Sequence, residues 1–180
     1  MTKKVLIIGT SPRANGNSNR LAIEFEKGAK AKGNEVEIVY LCDKTINFCK
    51  GCLACQRLQK CVIDDDANAI TEKIRNSEVI VWATPVYYYC MSGQMKTMID
   101  RSNPLFATQN KFKDIYLLAT AAEDEETAMD GTIKGLQGWI DCHEGVELKG
   151  VVRATGVADI GDIERSSALK EAYELGKSIN

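Results

Sequence analysis

Lys4-Val-Leu-Ile-Ile-Gly-Thr-Ser-Pro-Arg-Ala-Asn-Gly-Asn-Ser18 is the stretch that decides the fold. Val5 to Ile8 form a short continuous apolar run closed by Gly9, as expected of a strand buried on both faces. Beyond the loop, Leu21, Ala22, Phe25, Gly28 and Ala29 recur at helical spacing, and Gly33-Asn34 stops the pattern. The spacing predicts a helix over 17–32. A buried strand, a polar loop and an amphipathic helix make the first unit of an alternating α/β chain.

The alternation continues outward from this unit. Residues 35–41 alternate like a second strand, and a cysteine-rich segment at 42–61 then interrupts the pattern. A helix is expected over 64–76, with acidic residues at its positive N-terminal end. Strands are expected at 79–83, 115–120 and 147–156, and helices at 92–102, about 125–142 and about 164–179. Five such units imply a parallel sheet with right-handed crossovers and helices on both faces. Ligands of such sheets sit beyond the carboxyl ends of the strands where strand order reverses, which singles out 10–18, 84–92 and 120–124.

The 180 residues suit a single domain, 1–180, and no linker or repeat divides them. Lys+Arg 23 against Asp+Glu 25 leaves no basic surplus for nucleic acid. The apolar run at the start is too short for a signal peptide, and no stretch approaches the ~18 apolar residues that span a bilayer. A cytoplasmic protein is therefore expected, in which seven cysteines are not a disulfide framework. His143 is the sole histidine, which removes the base from any Ser-His or Cys-His arrangement elsewhere in the chain.

Ser11, Arg13, Asn17 and Ser18 surround the start of the first helix, where backbone N–H groups lack internal partners. Hydroxyls, an amide and a guanidinium at a helix N-terminus suit a phosphate monoester. The alternative is an ordinary N-cap with a surface arginine. No Gly-Lys-[Ser/Thr] marks a nucleotidase P-loop, no Gly-x-Gly-x-x-Gly marks a dinucleotide fold, and no acid follows strand one as a phosphoacceptor would need. Ala83-Thr-Pro-Val-Tyr-Tyr-Tyr-Cys90 brings three tyrosines to the same edge. Side chains of extended backbone alternate, so all three cannot enter one core, and a flat ring or a subunit interface could use the remainder. Lys96 and Asp100, four apart on a helix, read as a surface ion pair. Glu123-Asp-Glu-Glu126 reads as a solvated helix start.

Gly-Thr-Ser-Pro-Arg-x-x-Gly-Asn-Ser-x-x-Leu at 9–21, Ala-Thr-Pro-Val-Tyr-Tyr at 83–88 and Lys-x-x-x-Asp-Arg at 96–101 together resemble one family. It is the NAD(P)H-dependent FMN reductase branch of the flavodoxin-like flavoproteins. Cys49-Lys-Gly-Cys-Leu-Ala-Cys55 with Cys61-Val-Ile-Asp-Asp is similar to its iron–sulfur flavoprotein subgroup. The likeness extends to Asp159-Ile-Gly-Asp162 and Ala172-Tyr-Glu-Leu-Gly176, nearly the whole chain. The resemblance implies a flavodoxin-like three-layer sandwich whose five parallel strands run in the order 2-1-3-4-5. It implies FMN, with its phosphate at Ser11, Arg13, Asn17 and Ser18. Its ring would lie against Thr84, Pro85, Val86, Tyr87 and Tyr88, closed by Thr120, Ala121 and Ala122. Hydride would pass from NAD(P)H to flavin N5 with no catalytic side chain, because the cofactor carries the chemistry.

Cys49, Cys52, Cys55 and Cys61 are spaced Cys-x2-Cys-x2-Cys-x5-Cys. Bacterial ferredoxins use the same first three spacings, so a [4Fe–4S] cluster is one expectation. A zinc site made by all four thiolates and plain thiols are the others. Cys42, Cys90 and Cys142 fall outside the spacing and are expected to be buried thiols. Three functions follow. The first is an FMN-dependent reductase serving a small acceptor: a quinone, free flavin, nitro- or azo-aromatic. The second is an iron–sulfur electron carrier taking electrons from a ferredoxin-like partner, and the third a redox-responsive binding protein. Relatives of this kind are commonly homodimers or homotetramers.

Overall fold

A computed structural model describes residues 2–180. In chain order the elements are β1 (Lys4–Gly9), α1 (Asn17–Ala31), β2 (Glu35–Tyr40), α2 (Ala54–Leu58), α3 (Asp66–Asn76) and β3 (Val79–Tyr87). They continue with β4 (Cys90–Met91), α4 (Gly93–Arg101), β5 (Asp114–Thr120), α5 (Asp130–Ile140), β6 (Glu147–Ala154) and α6 (Ala168–Lys177). The sheet runs β2-β1-β3-β5-β6, all parallel, with β4 paired antiparallel to the end of β3. Counting only parallel strands, this is the flavodoxin-like order 2-1-3-4-5.

Alternation along the strands builds two cores. Val5 and Ile7 of β1, with Val79 and Val81 of β3, join Leu21, Phe25 and Ala172 on the α1/α6 side. Leu6, Ile8, Ile80 and Trp82 face Ile74, Met95, Met98, Leu136 and Trp139 on the α3/α4/α5 side. Because a strand residue and its neighbour point to opposite faces, an all-apolar strand requires both layers. Trp82 is fully buried. Removing ~150–250 Å² of such a side chain from water contributes up to about 4–6 kcal/mol.

On the first face α1 and α6 approach backbone to backbone. A Cβ on Gly28 would lie 1.9 Å from the Tyr173 carbonyl oxygen, and one on Gly176 would lie 2.2 Å from that of Phe25. Glycine at both positions lets two helices meet where side chains would hold them apart.

Four expectations need correction. The third strand does not stop at Ala83 but runs to Tyr87 and turns back through β4. Pro85 is tolerated there because it falls between the end of the β1 pairing, at Gly9 opposite Ala83, and the start of the β4 pairing at Val86, so its only strand partner is Thr120 of β5. The cysteine segment is not all loop: it contains α2, bounded by Leu53 and Gln59 in left-handed conformations. The acidic run stays exposed and feeds a 3-10 turn, Glu126–Met129, so α5 begins only at Asp130. The closing helix likewise starts later, after a 3-10 turn at Asp162–Arg165.

Candidate functional site

Strand order reverses between β1 and β3, since β2 lies on one side of β1 and β3 on the other. Three buried hydroxyls bind the loops there. Thr10 Oγ1 donates to the Ala83 carbonyl (3.1 Å) and lies 3.0 Å from Ser92 Oγ. Thr84 Oγ1 lies 3.3 Å from Ser92 Oγ and accepts from the Ser92 N–H at 3.2 Å. Ser92 also caps α4, accepting from the Met95 N–H at 3.2 Å. Thr84 is thus committed to the scaffold. Thr10 and Ser92 are the site's unpredicted members, and a serine before a helix at a strand edge was the available signal.

The loop from Ser11 to Gly16 opens α1 without any side-chain cap. Ser11 is buried, and its Oγ accepts from the Arg13 N–H (3.1 Å). A Cβ on Gly16 would fall 2.3 Å from that oxygen, so only glycine lets the loop fold this tightly. Ser18 and Asn19 are buried in the first turn of α1. Ser18 Oγ, Asn19 Oδ1 and Arg13 Nε are buried polar atoms with no partner. Unpaired groups of this kind cost about 1–3 kcal/mol each unless something meets them. Asn17 differs, because both its polar atoms have partners: Nδ2 donates to the Asp159 carbonyl (2.9 Å) and Oδ1 accepts from the Gly161 N–H (3.2 Å). Arg13 Nη1 reaches the Ala158 carbonyl at 3.2 Å. The β6–α6 loop therefore leans on the β1–α1 loop.

Beyond Thr84, Pro85 is buried, Val86 half-buried, and Tyr87, Tyr88 and Tyr89 are exposed. Tyr88 and Tyr89 both have positive φ, 48° and 60°, in a two-residue turn between Tyr87 and Cys90. Thr120 pairs with Pro85 across β3 and β5. Thr120 and Ala121 are buried, while Ala122 is exposed. The Ala121 N–H and carbonyl are bonded to Ala154 and Val157, at 2.9 Å each.

The cysteines gather elsewhere. Cys49, Cys52, Cys55 and Cys61 line a cavity of about 580 Å³ together with Arg101, Asn103, Trp139, Cys142 and His143. Cys55 is buried, Cys61 half-buried, and the other two exposed. Asn103 Nδ2 donates to Cys55 Sγ (2.9 Å) and the Gly51 N–H to Cys49 Sγ (3.4 Å). Among the described residues no three His, Cys, Asp or Glu side chains are close enough to share one metal ion. Cys42, Cys90 and Cys142 are exposed rather than buried. Cys90 occupies the outward position of β4, and Cys142 follows the end of α5. His143 packs edge-on to Phe112 and Trp139, and burial lowers its pKa. Lys96 and Asp100 form the exposed ion pair expected of them, at 2.7 Å.

Residues 3–132 match the NADPH-dependent FMN reductase family. The chain belongs to that family. An iron–sulfur flavoprotein of Archaeoglobus fulgidus is 33% identical over 98% of this chain and 78% of its own length. One of Methanocaldococcus jannaschii is 39% identical over 60% of this chain, and the match spans only 58% of that relative. Among solved structures, an NAD(P)H:quinone oxidoreductase from Methanothermobacter marburgensis shares the fold over 100% of both chains, with a TM-score of 0.77 at 17% identity. No helix among the described residues is long and apolar enough to cross a membrane.

Proposed function

We propose that this family member binds FMN at the β1/β3 switch point, oxidises NAD(P)H through it, and delivers the electrons to a small acceptor such as a quinone, free flavin, nitro- or azo-aromatic. One observation carries the reading. Ser18 Oγ and Arg13 Nε are buried without partners beside an uncapped helix N-terminus, at the ligand-bearing edge of the sheet. A phosphate monoester would satisfy both atoms. FMN, when bound, supplies hydride acceptance and onward one- or two-electron transfer.

The chain's own work is placement. Arg13 and Ser18, with Ser11, would hold the phosphate, and Asn17 would keep the β6–α6 loop against them. Pro85 and Val86 would wall the ring beside Thr120 and Ala121, with Tyr87 and Tyr88 at its open side. The Thr10–Ser92–Thr84 hydroxyls would fix the distance between the two loops, with Thr84 placed beside the ring.

A second reading, electron transfer through an iron–sulfur cluster, is favoured by the cysteine cavity. Zinc needs four sulfurs ~2.3 Å from one point, whereas a cubane takes each thiolate at a separate corner. Thiols spread around a cavity suit the cubane better, and N–H donors to sulfur are ordinary supports of such a cluster. Gly135, Cys142 and His143 line that cavity, while the start of α5 touches the tyrosine turn. Gly135 follows Gly131 by four residues, so about one turn of α5, roughly 6 Å along its axis, separates the cavity wall from the tyrosine turn. Phe48, Leu53, Leu58, Val62 and Phe106 are exposed around the cysteines. That apolar rim supports a homo-oligomer in which a second copy covers the cluster.

The test of the flavin site is Arg13→Ala with Ser18→Ala. Charged hydrogen bonds contribute ~1.5–3 kcal/mol each, so FMN affinity should fall at least tenfold; unchanged affinity would end the reading. Anaerobic mixing then separates the two functions. Rapid flavin bleaching by NADPH supports the reductase, while reduction only by a ferredoxin-like donor supports the carrier.

A further inference from the structure

Arg101, the last residue of α4, is 1% exposed, and its guanidinium meets both ends of the cysteine segment. Nη1 donates to the Asn47 carbonyl at 2.7 Å, and Nη2 donates to the Ile63 carbonyl at 3.1 Å. The same two nitrogens form a fork on Asp65, at 2.7 Å to Oδ2 and 2.8 Å to Oδ1. Asp65 also accepts from the Asn47 backbone N–H (2.9 Å) and side-chain Nδ2 (3.0 Å), and it caps α3 through the Ala67 N–H (3.1 Å). Residues 48–62, with all four spaced thiols, thus leave and return to one buried ion pair. Two residues beyond Arg101, Asn103 holds the Cys55 sulfur.

We propose that Arg101 is the positioning residue of the cysteine cage: paired with Asp65, it closes the loop 48–62 so that the thiols stand around their cavity before any metal arrives. The proposal rests on reading those cysteines as cluster ligands. Metal binding to a disordered loop must supply the ordering free energy of that loop, and a loop closed beforehand removes this cost. Only arginine suits the position. Its planar fork engages a carboxylate and two carbonyls on different sides at once, whereas a lysine ammonium is a single point of charge. Burial opposes the Arg101 charge, and its paired bonds to Asp65 sustain it.

The test uses the full-length flavoprotein stripped of iron, in wild-type, Arg101→Lys and Asp65→Asn forms. A short anaerobic maleimide pulse, mapped by peptide mass spectrometry, reads the shielding of each thiol. Cys55 should label at least tenfold faster in both variants, with Cys42 outside the loop unchanged and FMN still bound at one per chain. Reconstitution with ferrous iron and sulfide should then load less than half the wild-type iron. Wild-type labelling of Cys55 in both variants overturns the proposal, as does released Cys55 with undiminished loading. Loss of FMN in both variants also overturns it, because the pair would then hold the whole domain rather than the cage. If wild type itself takes up no iron, the cluster reading falls alone, and the labelling ratio decides the closure.

Discussion

A Cβ on Gly131 would stand 2.2 Å from the carbonyl oxygen of Tyr89, so the first turn of α5 touches the tyrosine turn backbone to backbone. Gly131→Ala must push one of them away. The turn is exposed and can yield, and a helix-propensity gain of up to about 1 kcal/mol offsets part of the cost, so the stability loss should be smaller than at a helix–helix contact. Displacement of the turn that walls the proposed flavin ring should instead raise the FMN dissociation constant about tenfold, near 1.4 kcal/mol. Fluorescence-quenching titration with FMN reads this directly. An unchanged constant would remove the tyrosine turn from the flavin site.

Tyr88 and Tyr89 sit in left-handed conformations that side chains avoid. The cost is roughly 1–2 kcal/mol per residue, and the turn type prefers Asn-Gly. Tyr88→Asn with Tyr89→Gly should therefore stabilise the protein by about 2 kcal/mol, visible as a higher urea midpoint. If the aromatic turn serves acceptor or ring binding, NAD(P)H turnover should fall in the same variant. A variant that is neither more stable nor slower would mean the strain is not stored for function.

Gly28 and Gly176 give a stability prediction independent of any ligand. Their absent Cβ positions fall 1.9 Å and 2.2 Å from the carbonyls of Tyr173 and Phe25. Each alanine substitution forces α1 and α6 apart and opens the core that includes Phe25 and Ala172. A loss of about 2–3 kcal/mol per site is expected from such overpacking, less the helix-propensity gain. Calorimetry on the two single variants would show it, and a rise in melting temperature at both would contradict the packing described.

The apolar runs Val5 to Ile8 and Val79 to Ala83 announced their strands because burial on both faces leaves no polar alternation to confuse the reading. The place of the loop holding Ser11, Arg13 and Ser18, between β1 and the start of α1, was equally legible. Asn17 was legible only in part: its residue type suited a phosphate, but its bonds to Asp159 and Gly161, 142 and 144 residues away, are connected to it by no local pattern. The β4 hairpin stayed hidden because Tyr-Tyr is not a turn sequence, and tertiary contact with Gly131 imposes what local preference would refuse. Arg101 lay within a quoted motif, yet its role depends on Asn47, Ile63 and Asp65, which no spacing rule connects to it. Cys42, Cys90 and Cys142 were misread because cysteine's usual burial is a statistical preference, and at these positions the backbone simply faces outward.

Asp65 supplies the pH prediction. Burial alone would raise its carboxyl, but bonds from Arg101, from Asn47 and from the Ala67 N–H hold it at about 2, below the ordinary 3.8. A depressed carboxylate stabilises the folded state above the unfolded pKa and loses that contribution as pH falls through the folded one. The window is therefore from about pH 4 down to about pH 2, and the contribution at neutral pH is about 2 kcal/mol. Close to half should already be gone at about pH 3. Asp65→Asn keeps the size of the side chain and a competent helix cap but cannot titrate. Urea unfolding of wild type and variant at about pH 6 and about pH 3 should show the gap between them narrowing by about 1 kcal/mol. Other carboxylates titrate in the same range, but they do so in both proteins and cancel from the difference. A gap that stays constant, or widens, between the two pH values would show that Asp65 is not held ionised by Arg101, and the ion pair that closes the cysteine segment would lose its electrostatic basis.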